Sequence, residues 1–245
     1  MEKSSARHRN RKKIMKKNLL PFLLVMVISG NIIAQEFETE DEHLKGWTKD
    51  TKIVYADFKG KPSERLKRLN KEAGLQASAQ VRLKSILDVP KKKRNRGPLL
   101  EKVYLAPFFD KTASMTMTTD ENELNKQILY FDIGELFARL MRKNIQDIQD
   151  STKAYGTMWV LYSSMKNFYC EKFKEMSDAY TYEVFVEKIE GAFDKWKDIV
   201  DEELRKLEEY ATKKEDCHRL LTETPVDARY EQSKNIVGSL KGCWE

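Results

Sequence analysis

Five residues at the start of a predicted helix, Lys126 to Tyr130, occupy positions at which a helix can present two metal ligands and a general base. Residues four apart share a helix face, which is how one helix offers two imidazoles to a zinc ion. The corresponding side chains here are an amine, an amide and a phenol, on Lys126, Gln127 and Tyr130. A protonated amine has no lone pair, an amide cannot take a proton from water, and a phenol with a pKa near ~10 is a poor zinc ligand at neutral pH. We therefore expect no metal, no other cofactor and no zinc-activated hydrolysis at these positions.

A long amphipathic helix, predicted over residues 119–149, must position these side chains. Its first turn can be capped by Thr118 with Glu121, or by Asp120 with Glu123, because these pairs take up the free backbone N–H groups of a helix start. Apolar residues then recur at helical spacing and predict one buried stripe: Leu129, Ile133, Leu136, Phe137, Leu140 and Ile148.

The segment from Tyr130 to Lys143 resembles the helix of a known bacterial family. It contains Phe131-Asp132-Ile133, then Glu135-Leu136, Ala138-Arg139 and Arg142-Lys143. It is similar to the family described as secreted zinc-dependent proteases (domain of unknown function 922), in which a His-Glu-x-x-His motif runs into Phe-Asp-Ile and an Arg/Lys-rich helix end.

Two further segments carry the same resemblance. Residues 54–62 are similar to the family's Trp-x-Asp-Phe-Lys-Gly-Lys-Pro signature, and residues 103–111, followed by Ser114-Met115, are similar to the strand region before the helix. The resemblance covers Trp47 to Lys143 and implies a long zincin-like helix against a small sheet. Carried over position by position, Lys126 stands at the first histidine, Gln127 at the glutamate and Tyr130 at the second histidine.

Three functional hypotheses follow from this loss of both imidazoles and the glutamate. The first is a secreted, non-catalytic protein on a metalloprotease-like scaffold, which binds a protein, peptide or envelope component. The second is a secreted peptidase-like hydrolase with an altered or metal-free site, in which Asp132, Glu135 or Tyr130 acts. The third is a structural helical envelope protein. We favour the first, because ligand, ligand and base are lost together.

The N-terminal residues 1–34 have the organisation of a secretory signal peptide. A basic stretch to Lys17 precedes an apolar run over residues 19–28, and Ala34 is a small residue suited to cleavage. Met15 is an alternative start to Met1, and an uncleaved membrane anchor is an alternative to cleavage. Cleavage predicts a periplasmic or extracellular protein with no stable membrane span.

The positive net charge of the chain comes from residues 1–34. Residues 1–34 hold eight Lys and Arg and one Glu, a surplus of +7, against +6 for the whole chain, so the remainder is near −1. The basic pI therefore gives no reason to infer nucleic acid binding. One basic run remains, Lys91 to Gly97, which we interpret as a solvated hairpin loop, with contact to a phosphate-rich surface as the alternative.

The mature chain is predicted to be one α+β domain. Residues 35–46 are acidic and predicted to form a mobile leader, and residues 47–245 form the domain, strand-rich over 47–118 and helical over 119–245. A small, mostly antiparallel N-terminal sheet is expected to pack on the long helix. An edge strand is expected over Ile53-Val54-Tyr55, with Asp57 capping backbone N–H groups and Phe58 in the core.

Other elements follow from periodicity. A helix over residues 65–73 should stop at Gly74, and strands are predicted over 75–83, over 99–109 and around Met115 to Met117. The second half is predicted to be helical, with a last helix over Asp227 to Leu240. In an oxidising compartment we expect a disulfide between Cys217 and Cys243, two of the three cysteines.

Overall fold

The computed structural model describes residues 37–234 of the chain. The predicted signal peptide, residues 1–34, and Cys243 lie outside the described residues. The elements in chain order are β1 Leu44–Gly46, α1 Glu64–Ala73, β2 Ala77–Ser78, β3 Val81–Pro90, β4 Lys102–Asp110, β5 Met115–Thr116, α2 Glu121–Thr152, α3 Thr157–Thr181, α4 Ala192–Lys206, α5 Lys214–Thr222 and β6 Tyr230–Gln232.

The main sheet has four antiparallel strands in the order β1, β4, β3, β6. β3 and β4 form its centre, with a register that runs from Val81 opposite Phe109 to Asp88 opposite Lys102. A second sheet pairs β2 with β5. Helices follow in the C-terminal half, so the predicted α+β class is confirmed.

Both faces of the central strands are buried. Along β4, Leu105 and Phe109 face α2 and α3, while Tyr104 and Phe108 pack with Cys217 and Leu220 of α5 on the other face. This explains why residues 102–110 form an almost continuous apolar run, which is typical of a strand covered on both sides.

Helix α2 crosses the sheet and closes most of the core. Asp120 is its N-cap and accepts the Asn122 N–H at 2.9 Å, which selects one of the two predicted caps. Gly134 lets the helix approach the strands, since a Cβ there would lie 3.1 Å from Val81 Cγ1 and 3.2 Å from Pro107 Cβ. The predicted long helix is confirmed and extends slightly past Gln149.

The segment before Trp47 differs from its prediction. Leu44–Gly46 forms β1 on β4 instead of part of a mobile leader, because pairing with the exposed edge of β4 satisfies its backbone. The predicted edge strand at Ile53 to Tyr55 is wrong, since Tyr55–Asp57 forms a 3₁₀ turn. Asp57 accepts the Val54 N–H at 2.9 Å, as predicted for a cap, and Phe58 is buried against Phe109.

The chain after α5 also differs. Instead of a helix beginning at Asp227, the structure has a turn, in which Asp227 Oδ1 accepts the Arg229 N–H, followed by β6 on the edge of β3. Tyr230 is buried and its hydroxyl donates to the Leu100 carbonyl. The rest of that predicted helix, residues 235–240, lies outside the described residues.

Two smaller predictions concern the loop between β3 and β4 and the absence of a membrane span. The basic run Lys91 to Gly97 connects the antiparallel strands β3 and β4 with its first four side chains exposed, which confirms the solvated hairpin loop. None of the helices between residues 37 and 234 combines the length with the apolar character that a membrane span requires.

Candidate functional site

Gln127 and Tyr130 line the same concave surface, a cavity of about 810 Å³ that we call the α2 groove. Its walls come from α1, the β2 segment, the start of α2 and the end of α3. Apolar side chains contribute much of the lining, among them Leu66, Leu69, Leu75, Met115 and Phe185. A cavity of this size and character is in the range of ~300–1,000 Å³ that small-ligand sites have.

Gln127 is buried and holds the β2 segment to α2. Its Oε1 accepts the backbone N–H of Ala79 at 3.0 Å. This contact fixes the orientation of the amide, because only the oxygen can accept from an N–H group. Within residues 37–234 the Nε2 atom makes no hydrogen bond, so the amide offers its two N–H donors at the groove wall.

Tyr130 is oriented by a short chain of hydroxyl groups. Its hydroxyl lies 2.6 Å from Thr181 Oγ1, and Thr181 donates its own proton to the Ser177 carbonyl oxygen at 2.6 Å. Tyr130 must therefore be the donor to Thr181, which leaves a lone pair on its oxygen as an acceptor. Burial raises the pKa of Tyr130 to about 12, so the group is a neutral phenol at physiological pH.

Lys126 does not share the groove. Its ammonium forms an ion pair with Glu123 Oε1 at 2.6 Å, and it lines a separate cavity of about 590 Å³ with Lys188 and the start of α4. Its backbone carbonyl accepts from the Tyr180 hydroxyl at 2.6 Å. Of the three positions carried over from the zinc motif, the structure thus brings two together and separates the third.

Asp132 points away from the groove and contacts the segment after β1. Its Oδ1 accepts Trp47 Nε1–H at 2.9 Å, and the Trp47 ring in turn lies 5.0 Å from the Arg139 guanidinium. Burial raises the pKa of Asp132, although the hydrogen bond from Trp47 opposes the shift. Its role is to join the N-terminal segment to α2.

Glu135 is fully buried and is the centre of an ionic network. Its Oε1 accepts from Arg139 Nε and from the Thr212 N–H, each at 2.8 Å, and its Oε2 accepts from the Thr212 hydroxyl. Arg142 Nη1 lies 3.9 Å away and donates to the Tyr210 carbonyl. Both carboxylate oxygens are therefore occupied by structural donors, and the side chain has no exposed surface.

Sequence reasoning missed most of this network. The spacing of Glu135 and Arg139 is the i,i+4 signature of a helical ion pair, but nothing local connects either residue to Thr212, 77 positions later. A second buried pair, Asp88 with Arg219, is bidentate at 2.9 and 2.7 Å and ties β3 to α5. No local sequence pattern predicts this pair either, because its two residues are 131 positions apart.

The donor sets present do not form a metal centre in the described part of the chain. No group of three or more His, Cys, Asp or Glu side chains that could hold a metal ion occurs there. Asp132 and Glu135, the predicted residual site, contact different partners and do not converge with Tyr130 on a common point. The three side chains therefore do not form a joint site.

The predicted disulfide between Cys217 and Cys243 is wrong, because Cys217 is not bonded to another cysteine. Cys217 is a free, fully buried thiol, whose Sγ contacts the Trp47 carbonyl at 3.5 Å. It lies under β1, where a Cβ on Gly46 would come within 2.5 Å of the sulfur. Cys243 lies outside the described residues.

Comparison of the chain with family models, curated proteins and solved structures gave no match. The resemblance to the secreted zinc-dependent protease family thus rests on the residues quoted for it. In the fold, those segments lie in the turn at Asp57, on β4 and on α2, and all three contribute to one core, through Phe58, Phe109 and Phe131.

Proposed function

We propose that this protein is exported and binds an extended peptide segment in the α2 groove without cleaving it. The observation that carries the proposal is the pairing of a free amide donor on Gln127 with a phenol oxygen acceptor on Tyr130, in one groove. The two residues are three apart on a helix, so their side chains are neighbours.

The polar pair matches a peptide group. A peptide carbonyl can accept from Gln127 Nε2 while a peptide N–H donates to the Tyr130 oxygen, and a peptide offers both groups at every residue. Leu66, Leu69 and Phe185 provide apolar surface for the side chains of such a ligand. The groove also has charged groups at its wall, on Arg65, Lys174 and Asp178, and a combination of apolar surface and convergent polar groups is usual for a ligand site.

The same side chains argue against cleavage. Gln127 stands where a general base would be needed and cannot take a proton, and the Tyr130 phenol keeps its own proton. Asp132 and Glu135, which the hydrolase hypothesis would use, are bound to Trp47 and to Arg139 with Thr212. Binding without turnover is therefore the function that these contacts support best, in a degenerate member of the protease-like family.

The proposal also includes export of the protein and its location outside the cytoplasm. The signal-like residues 1–34, and a charge near −1 for the remainder, favour a periplasmic or extracellular protein with a protein, peptide or envelope partner. A purely structural envelope protein would need no cleft at Lys126, Gln127 and Tyr130. The groove beside two of these three residues favours the binding hypothesis over that alternative.

Affinity selection tests this proposal. The purified protein is incubated with a library of unstructured octapeptides, and retained peptides are measured by fluorescence polarisation and weighed by mass spectrometry after overnight incubation. We expect saturable binding of peptides that are recovered intact, and no competition from peptide-free oligomers of N-acetylglucosamine. Cleaved peptides would establish the hydrolase alternative, and competition by these oligomers would show that the groove binds N-acetylated sugars instead. Absence of any retained peptide would refute the proposal.

A further inference from the structure

A second cavity, of about 740 Å³, shares no residue with the α2 groove, and we call it the acidic cleft. It is formed by the start of β4, the C-terminal half of α2, the turn before α5 and the first turn of α5. Its lining contains five acidic and three basic side chains: Glu101, Asp150, Glu209, Glu215 and Asp216 against Lys102, Arg142 and Lys213. This excess of acidic groups favours a cationic ligand over an anionic one.

Two of the three basic groups are already bound by other parts of the protein. The Lys102 ammonium pairs with Asp227 Oδ2, which lies outside the cleft, at 3.1 Å. The Arg142 guanidinium donates to the carbonyl oxygens of Leu105 and Tyr210. The acidic side chains of the cleft are therefore incompletely neutralised by the cations beside them.

Tyr104 supplies an unpartnered polar group to the cleft. Its side chain is only 5% exposed, and its ring packs with Phe108 and Cys217 on the α5 face of the sheet. Within residues 37–234 its hydroxyl makes no hydrogen bond. Burial raises the pKa of this hydroxyl, and the charges of Glu215 and Asp216 raise it further, so the hydroxyl lies beside carboxylates that line the cleft. A buried hydroxyl without a partner is unfavourable, and an N–H donor of a ligand would satisfy its oxygen.

Glu101 supplies a second unpartnered group. Its side chain is 3% exposed, and its Oε1 accepts the Gly156 N–H. Its Oε2 has no hydrogen-bond partner in the described part of the chain. A buried carboxylate oxygen that lacks a donor is more costly than a neutral one, so this group also favours a ligand with charged N–H donors.

The two unpartnered groups lie at different ends of the cleft. Gln149 Nε2 donates to the Glu101 carbonyl at 2.9 Å, which places Glu101 at the level of Gln149 on α2. Arg142 Nη1 donates to the Tyr210 carbonyl at 2.6 Å, which places the turn before α5 at the level of Arg142. The rise of α2 over the seven residues between Arg142 and Gln149 is ~10 Å. The acidic groups near α5 and those near Glu101 are therefore separated by about this distance.

This separation distinguishes an organic cation from a metal ion. No group of three or more His, Cys, Asp or Glu side chains that could hold a metal occurs over residues 37–234. Between the two acidic ends the lining is apolar, since Val103 follows Glu101 on the strand and Ile145 lies between Arg142 and Gln149 on the helix. A linear amine with an ammonium group at each end and methylene groups between them has the same order of charged, apolar and charged parts.

We propose that the acidic cleft binds a linear polyamine. One terminal ammonium group lies beside Glu215 and donates to the Tyr104 oxygen, and the other lies beside Glu101 and Asp150. The methylene groups contact Val103 and Ile145. None of these residues lines the α2 groove, so polyamine binding and peptide binding stand or fail independently.

Isothermal titration calorimetry of the purified full chain tests the proposal with small amines of matched length. We expect saturable binding of one spermidine per chain, and similar binding of 1,8-diaminooctane, which has the same number of atoms between its terminal nitrogens. Putrescine is too short to reach both ends and octylamine carries one charge, so each should bind about tenfold more weakly or worse, as for the loss of a charged hydrogen bond. Absence of saturable spermidine binding, equal affinity for octylamine, or displacement of spermidine by magnesium chloride at constant ionic strength would overturn the proposal.

Variants at both ends of the cleft locate the binding site. Tyr104→Phe keeps the ring and removes a hydroxyl that has no partner within the described residues, so the urea midpoint should not fall while the spermidine dissociation constant rises about tenfold. Glu215→Gln and Asp150→Asn should each weaken binding as well. The control is Asp147→Asn, which removes the same charge from α2 outside the cleft, where Asp147 pairs with Lys143, and should change the constant less than about twofold because solvent and salt screen it. An unchanged affinity of Tyr104→Phe, or equal losses in Asp147→Asn and Asp150→Asn, would overturn the proposal.

Discussion

Replacing Glu135 with glutamine tests whether this residue is structural. The side chain is fully buried, and its carboxylate accepts from Arg139 Nε and twice from Thr212. Glutamine keeps the size but removes the charge opposite Arg139 and places an NH₂ group toward one of these donors. Removing one partner of a buried ion pair costs about 3–5 kcal/mol. Because Glu208 also contacts Arg139, at 3.1 Å, we expect the lower end of that range.

Urea unfolding monitored by circular dichroism measures this loss. With a denaturant slope of ~2 kcal/mol per M, a loss of ~3 kcal/mol moves the midpoint down by ~1.5 M. The control is Glu208→Gln, which alters the same network from a half-exposed position and should cost under about 1 kcal/mol. A Glu135→Gln variant as stable as the wild type, with casein or peptidoglycan turnover abolished, would refute our reasoning and support the hydrolase alternative.

Two further substitutions test the packing around β1. Since burial raises the pKa of Asp132 above its ordinary value of 3.8, the folded state holds this proton more tightly, and the free energy of unfolding falls as pH rises from 3.8 to the raised pKa. Asp132→Asn keeps an acceptor for Trp47 Nε1–H. We therefore expect it to be more stable than the wild type at pH 7 but not near pH 3.8; equal stability in urea at both pH values would contradict this. Gly46→Ala places a Cβ 2.5 Å from Cys217 Sγ and 2.9 Å from a backbone oxygen, and should cost about 1–3 kcal/mol. An unchanged thermal midpoint would show that β1 is less tightly packed than we describe.

Much of the fold could be predicted because residues close together in the sequence determine these elements. The apolar stripe and the Asp120 cap define α2, and Gly74 ends α1 with a φ of +70°, a conformation that favours glycine. Asp57 was predicted as a cap because it stands beside a turn, and the structure confirms this role. These features need only neighbouring residues to form.

The predictions that failed concern features that depend on residues far apart in the sequence. β1 and β6 have three residues each, too few to show a period of two, and both exist because an edge of the main sheet is available to them. Glu135 resembled a residual catalytic acid because its partner Thr212 is remote in sequence. Cys217 seemed available for a disulfide because its position under Gly46 depends on β1. All four features, namely β1, β6, the role of Glu135 and the burial of Cys217, depend on tertiary packing. A single sequence does not show that packing.

The groove on α2 is tested most directly by the affinity of a selected peptide for the Gln127→Glu variant. Glutamate keeps an oxygen to accept the Ala79 N–H but has no N–H donor for a peptide carbonyl. We predict that the dissociation constant rises about tenfold or more, which corresponds to ~1.4 kcal/mol. Lys126→Gln, in the separate cavity, should leave it unchanged. Equal affinity of the wild type and Gln127→Glu would contradict peptide binding in this groove.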